Sequence, residues 1–218
     1  MSRATRPVLV IILAIVGAAV VATYVMRAPS SGGNSSNASF DSVSPGGGQF
    51  KGPANAKVTL VEFGDYQCPS CKFYHPVVSE LLRRFPEHLR LEFHHFPLIQ
   101  IHPYAMSAAM AVEAAGEQGK YWEMHDLVFE HQETWSRSSN PEPEFLSLAG
   151  RIGLNVNTFM QSMRSPELQQ RVLQDVVRAR EAKVDEVPYF FIKGRRVSTH
   201  EGVPGFIKAV EDEIRSGQ

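Results

Sequence analysis

Val58-Thr59-Leu60-Val61-Glu62-Phe63, followed by Cys68-Pro69-Ser70-Cys71, is the stretch that decides the fold, and it holds both cysteines of the chain. The first run is apolar, which reads as a buried strand. After the cysteines, Phe73, Val77 and Leu81, with Tyr74, Val78, Leu82 and Phe85 beside them, recur at helical spacing. The pair therefore stands where a strand hands over to a helix N-terminus. Unpartnered N–H groups and the positive end of the helix dipole favour an anion there, so an exposed Cys68 is predicted to ionise near neutral pH and is the candidate nucleophile. Pro69 suits a first helical turn, whose N–H groups have no intrahelical partner. Cys71 falls one turn further in, less exposed and within reach of Cys68, as the resolving thiol that expels a mixed disulfide.

Two other readings use the same sulfurs. Cys68 and Cys71 are half of a zinc site, but zinc needs two more ligands, and the chain has no second C-x-x-C to supply them. His94-His95 and His102 are the nearest candidates, and adjacent strand residues point to opposite faces. A purely structural disulfide closes too short a loop to stabilise much. A redox pair is the leading reading, with no metal.

At 218 residues, 43% apolar and 21% charged, the chain fits one ordinary globular domain plus a targeting segment. Val8 to Met26 is almost wholly apolar, follows Arg3 and Arg6, and has no acidic residue near it. Residues 1–28 are thus expected to be a membrane anchor with its basic side in the cytoplasm, or a signal segment cut near Val20-Val21-Ala22. Residues 29–48, rich in Ser, Gly and Asn, read as a flexible tether with a reach on the order of 25 Å. Without Arg3, Arg6 and Arg27, 19 basic residues face 23 acidic ones, which offers nothing to nucleic acid. Export to an oxidising compartment with a single cysteine pair argues against a disulfide-stapled framework.

Within residues 49–218, Val58 to Phe63, Cys68 to Phe85 and Leu89 to Phe96 form a predicted βαβ unit. Tyr189 to Ile192 and Arg195 to Val197 read as a hairpin turning at Lys193-Gly194, and Pro204 to Ile214 as a closing amphipathic helix. Between these halves, about 101–184, the pattern is helical: Tyr104 to Glu117, Tyr121 to Glu130, Pro143 to Arg151, Asn157 to Met163 and Pro166 to Lys183, the last capped by Ser165.

A βαβ half carrying C-P-S-C, an all-helical insertion and a ββα half resemble the thioredoxin fold of the DsbA-like thiol:disulfide oxidoreductases, over about Val58 to Arg215. The implied fold class is α/β, a mixed sheet flanked by helices with a helical insertion. Three further positions match the family pattern: Glu62 as a buried acid beneath the active site, Pro76 as the proline that kinks the first helix, and Val187-Pro188 as a cis-proline turn facing the cysteines and pairing with substrate. His95-Phe96-Pro97-Leu98 and Gly119 to Asp126 also look like this branch. Ser70 departs from the histidine of the most oxidising members, which implies a weaker oxidant. Asp185-Glu186 stand where a glycine is frequent, placing two carboxylates near the presumed groove.

The resemblance implies dithiol-disulfide exchange on exported polypeptides, preferentially as a disulfide donor, with the reverse reductase or isomerase reaction as an alternative; a tethered metal-binding or metal-delivery module using the Cys68 and Cys71 thiolates as soft ligands is the alternative from a different class. The resemblance also implies no cofactor beyond the Cys68-Cys71 disulfide and a redox partner that recharges it, and the N-terminal segment is expected to place the catalytic domain on the extracytoplasmic side of a bacterial inner membrane, or soluble there after cleavage. Glu62 is expected to shuttle protons. His75, His125 and His131 read as ordinary helix-surface or core histidines, and Tyr121, Trp122 and Phe129 as core packing.

Overall fold

A computed structural model describes residues 47–216. Five strands form one mixed sheet: β1 (Gln49–Lys51), β2 (Val58–Gly64), β3 (Leu89–His95), β4 (Tyr189–Ile192) and β5 (Arg195–Val197), in the order β1-β3-β2-β4-β5. β2 and β3 are parallel, pairing Leu60 with Leu91 and Glu62 with Phe93, and the other neighbours are antiparallel. A parallel pair needs a crossover, and helix α1 (Pro69–Arg84) supplies it. The insertion comprises α2 (Ala105–Gly116), α3 (Tyr121–Glu130), α4 (Gln132–Trp135), α5 (Glu142–Arg151), α6 (Val156–Ser162) and α7 (Pro166–Glu181), and α8 (Gly202–Ser216) closes the domain.

The period of two along β2 sorts the core into layers. Val58 and Leu60 face the main core with Leu81 of α1 and Phe206 of α8, whereas Val61 and Phe63 face a second cluster with Ala179, Ala182 and Val184, at and beyond the end of α7. Glu62 shares the parity of Val58 and Leu60, which aims its carboxyl at the α1 side, beneath the cysteines. The β4–β5 turn has Lys193 and Gly194 at φ 48° and 71°, the left-handed pair that a two-residue hairpin loop requires. Ser165 caps α7 as predicted, its Oγ accepting from the N–H groups of Glu167 and Leu168.

Differences from expectation are local. The buried stripe of α1 is Cys71, Tyr74, Val78 and Leu81, while Phe73 is 61% exposed. Both stripes have helical spacing, and only the docking of α1 against the sheet and α8 selects between them. β1 and α4 were not anticipated, since three and four residues are too few to show a period. Gly48, placed in the tether, packs so closely on His94 and Glu92 that a side chain there has no room. The predicted anchor or signal segment and nearly all of the tether lie outside the described residues. Among the described residues no helix is long and apolar enough to cross a membrane.

Candidate functional site

Cys68 is the N-cap residue of α1, with extended backbone (φ −72°, ψ 123°), and Pro69 follows as the first helical residue. This places the sulfur before the unpaired N–H groups of the first turn. Both thiols are reduced. The Cys68 thiol falls from its ordinary 9.0 to about 6, because Cys71 donates its S–H to the Cys68 sulfur and the backbone N–H groups of Cys71 and Ser70 add to this, against a smaller penalty from burial. Cys71 moves the other way, well above 9.0, through burial and the neighbouring Cys68. The pair is therefore split into a readily ionised sulfur and a proton-bearing partner.

Cys68 is less exposed than expected, at 7%. Its cover comes from the other half of the fold, where Cys68 Sγ donates to the Val187 carbonyl oxygen at 3.7 Å. The Val187–Pro188 peptide bond is cis, as the family pattern implies. Glu62 is buried, and desolvation raises its carboxyl from 4.5 to about 8, so it carries a proton at neutral pH. Its charge, when present, raises Cys71 further. Pro76 lies inside α1, where it removes the N–H that the Lys72 carbonyl would accept. Ser70 is exposed. Of the two carboxylates before Val187, Asp185 is exposed, and Glu186 pairs with Arg196 and His200.

Two residues that shape the site escaped the sequence reading. Asp65 accepts from the Gln67 and Leu98 N–H groups and from His102 Nδ1, which pins the turn between β2 and α1, while its own N–H donates to Cys71 Sγ at 3.4 Å. Gln132, buried on α4, donates through Nε2 to the carbonyls of Tyr66 at 2.7 Å and Cys68 at 2.9 Å. An Asp two residues before a Gln at a strand end is a recognisable Asx-turn signal; Gln132, on a four-residue helix, carries none.

The histidines proposed as partners for a thiol-bound metal do not reach the cysteines. His94 faces Asp175 and Glu92, His95 faces Glu113, and His102 holds Asp65. Opposite facing of His94 and His95 follows from strand alternation. Beside the cysteines runs a groove of about 780 Å³, lined by Gln67, Pro69, Phe73, His102, Gln132 and Glu133 among others. The exposed ring of Phe73 is part of it.

A thioredoxin family model matches residues 45–212. The chain is 40% identical over 154 residues to the Na(+)/H(+) antiporter NhaA 1 of Salinispora arenicola and 38% identical over 174 residues to NhaA 3 of Salinispora tropica. Those matches cover 71% and 80% of this chain but 23% and 25% of the relatives, so the chain spans about a quarter of the length of the curated relatives it matches. Among solved structures, oxidised BdbD from Bacillus subtilis superposes with a TM-score of 0.68 at 20% identity, covering 78% of this chain and 94% of that one. The alpha-DsbA1 of Wolbachia pipientis gives a TM-score of 0.65 at 17% identity, covering 78% and 92%. With the sheet order, the helical insertion and the C-P-S-C helix start all in place, the chain belongs to the thioredoxin family and has its DsbA-like fold.

Proposed function

We propose that the protein is a thiol:disulfide oxidoreductase acting on exported polypeptides, chiefly as a disulfide donor. The observation that carries this reading is the split between the two thiols: Cys68 at about 6 and Cys71 held well above 9.0. A leaving thiolate of low pKa departs readily and stabilises the reduced form, which makes the disulfide oxidising.

In the forward reaction a substrate thiolate attacks Cys68 Sγ of the oxidised pair, and the Cys68–Cys71 bond breaks. Cys71 leaves with the electron pair and takes up a proton, which Glu62 holds at neutral pH. A second substrate thiolate then attacks the substrate sulfur of the mixed disulfide, and Cys68 departs as a thiolate. The substrate gains one disulfide and the enzyme is left with two reduced sulfurs. Val187 and Pro188 line the approach, where an extended substrate segment takes the place of the Cys68 thiol at the Val187 carbonyl. A redox partner that reoxidises the pair completes the cycle, and the apolar N-terminal run supports a location beyond the cytoplasmic face of the membrane.

The test is stoichiometric transfer from the oxidised protein to a reduced, unfolded disulfide-containing polypeptide. Transfer should be complete in the wild type and absent in Cys68→Ser and in Cys71→Ser, neither of which can form the donated disulfide, whereas Cys71→Ser mixed with a polypeptide that already holds a disulfide should attack it and stop at a mixed disulfide through Cys68. Failure of the wild type to oxidise the polypeptide, with its own disulfide intact, overturns the reading.

A further inference from the structure

Behind the thiols, on the second turn of α1, the fold brings together residues that the sequence keeps 50 positions apart. His75 of α1 meets His125 and Asp126 of α3, and one donor atom from each of the three lies within 4.8 Å of the others. His75 Nε2 is already 3.0 Å from Asp126 Oδ1. Four ligands at about 2.0–2.2 Å around a tetrahedral zinc ion stand roughly 3.3 Å apart, so closing this set needs side-chain movement on the order of an ångström and no change in backbone.

The surroundings suit a cation. His125 is buried among Tyr66, Phe93, Trp122 and Phe129, and its Nδ1 is 2.8 Å from the Tyr66 hydroxyl, which leaves Nε2 as the ligating nitrogen. That hydrogen bond to the ring's other nitrogen orients it as metal-bound histidines are oriented. The Asp126 carboxylate is part-buried and already accepts hydrogen bonds from His75 and Lys51. A cavity of about 530 Å³ opens onto His75 and Asp126, giving an ion a route in and room for a water ligand.

The position already holds a positive charge. Lys51 of β1 places its ammonium 2.9 and 3.2 Å from the two Asp126 oxygens. Lys51 is part-exposed, its ammonium also lying 5.3 Å from the centre of the Trp122 ring, so water can take its place and it is a displaceable occupant.

We propose that His75, His125 and Asp126 form a binding site for a zinc-type divalent cation, with Lys51 as the competing cation and water as the fourth ligand. Bound there, the ion staples the thiol-bearing helix to the insertion. The site is separate from the thiols and does not depend on their exchange chemistry.

The experiment titrates Zn²⁺ into the full-length protein in its oxidised form, in which the cysteines cannot ligate, against a chromophoric chelator at neutral pH. One equivalent should bind. His75→Gln and Asp126→Asn should each weaken binding by at least about tenfold. Lys51→Gln should tighten binding, because it removes the competitor while keeping all three ligands. Co²⁺ in the same protein should show tetrahedral absorption bands without thiolate charge transfer. Absence of binding in both wild type and Lys51→Gln, or affinities unchanged in His75→Gln and Asp126→Asn, overturns the proposal.

Discussion

Cys68 Sγ and the Val187 carbonyl oxygen, 119 residues apart in the chain, lie 3.7 Å from each other across the mouth of the site. The contact joins the helix start of the βαβ half to the turn that opens the ββα half. It also explains why a reactive thiol is largely covered: what closes over Cys68 is a backbone carbonyl, which an incoming peptide can compete for. The lowering of the Cys68 pKa is the work of the Cys71 thiol and the helix-start N–H groups, acting against burial and the nearby Asp65 charge.

Alkylation of the reduced protein should follow this split. Cys68 is expected to react with a midpoint near pH 6, and Cys71 to stay unmodified through neutral pH. Because folding depresses the Cys68 pKa, its thiolate stabilises the reduced fold fully above the ordinary thiol value, and that contribution is lost as pH falls through about 6. Rates measured by mass spectrometry across pH test this, and a Cys68 midpoint near that of a free cysteine contradicts it.

Ser70 is exposed beside Cys68 and contributes its N–H but no charge. Ser70→His should add a cation there, lower the Cys68 pKa further and make the disulfide more oxidising, by about 30 mV for each 1.4 kcal/mol of added thiolate stabilisation. Equilibration with glutathione buffers reads the shift, and a more reducing variant refutes the argument.

Glu62 sets a pH dependence of opposite sense. Folding raises its carboxyl from 4.5 to about 8, so its contribution to stability is complete below 4.5 and is lost as pH rises through about 8. The shift sets an upper limit of about 5 kcal/mol. Glu62→Gln should match the wild type in acid and be the more stable protein above pH 8, while proton transfer to Cys71, and with it the exchange rate, slows. Urea unfolding across pH and stopped-flow exchange provide the two readouts. Parallel stability curves remove the buried acid from the account.

Gln132 holds the active-site turn from the insertion, its amide shared between the Tyr66 and Cys68 carbonyls. Gln132→Leu should cost about 1–3 kcal/mol, since buried carbonyls lose a donor. Gln132→Glu should cost more, because it sets an acceptor against two acceptors. Urea midpoints of the two variants check the order, and equal stability to wild type shows that the clamp contributes nothing.

Cys68 and Cys71 stood out in the sequence because they fall at a helix start, whereas Glu62 and the Val187–Pro188 turn were marked by the resemblance to the DsbA-like family and not by a local pattern. The βαβ and ββα halves and the longer helices showed because periods of two or 3.6 persist over enough residues to be read. The tertiary structure alone decided which of two equally spaced stripes on α1 is buried, exposing Phe73 and burying Tyr74, because only docking against the sheet and α8 distinguishes them. It alone set Gln132 on the Cys68 carbonyl and Asp65 on His102, and it brought His75 to His125 and Asp126. Those meetings join side chains 37 to 64 residues apart, where one-dimensional patterns carry no signal and packing of the insertion against α1 supplies the geometry.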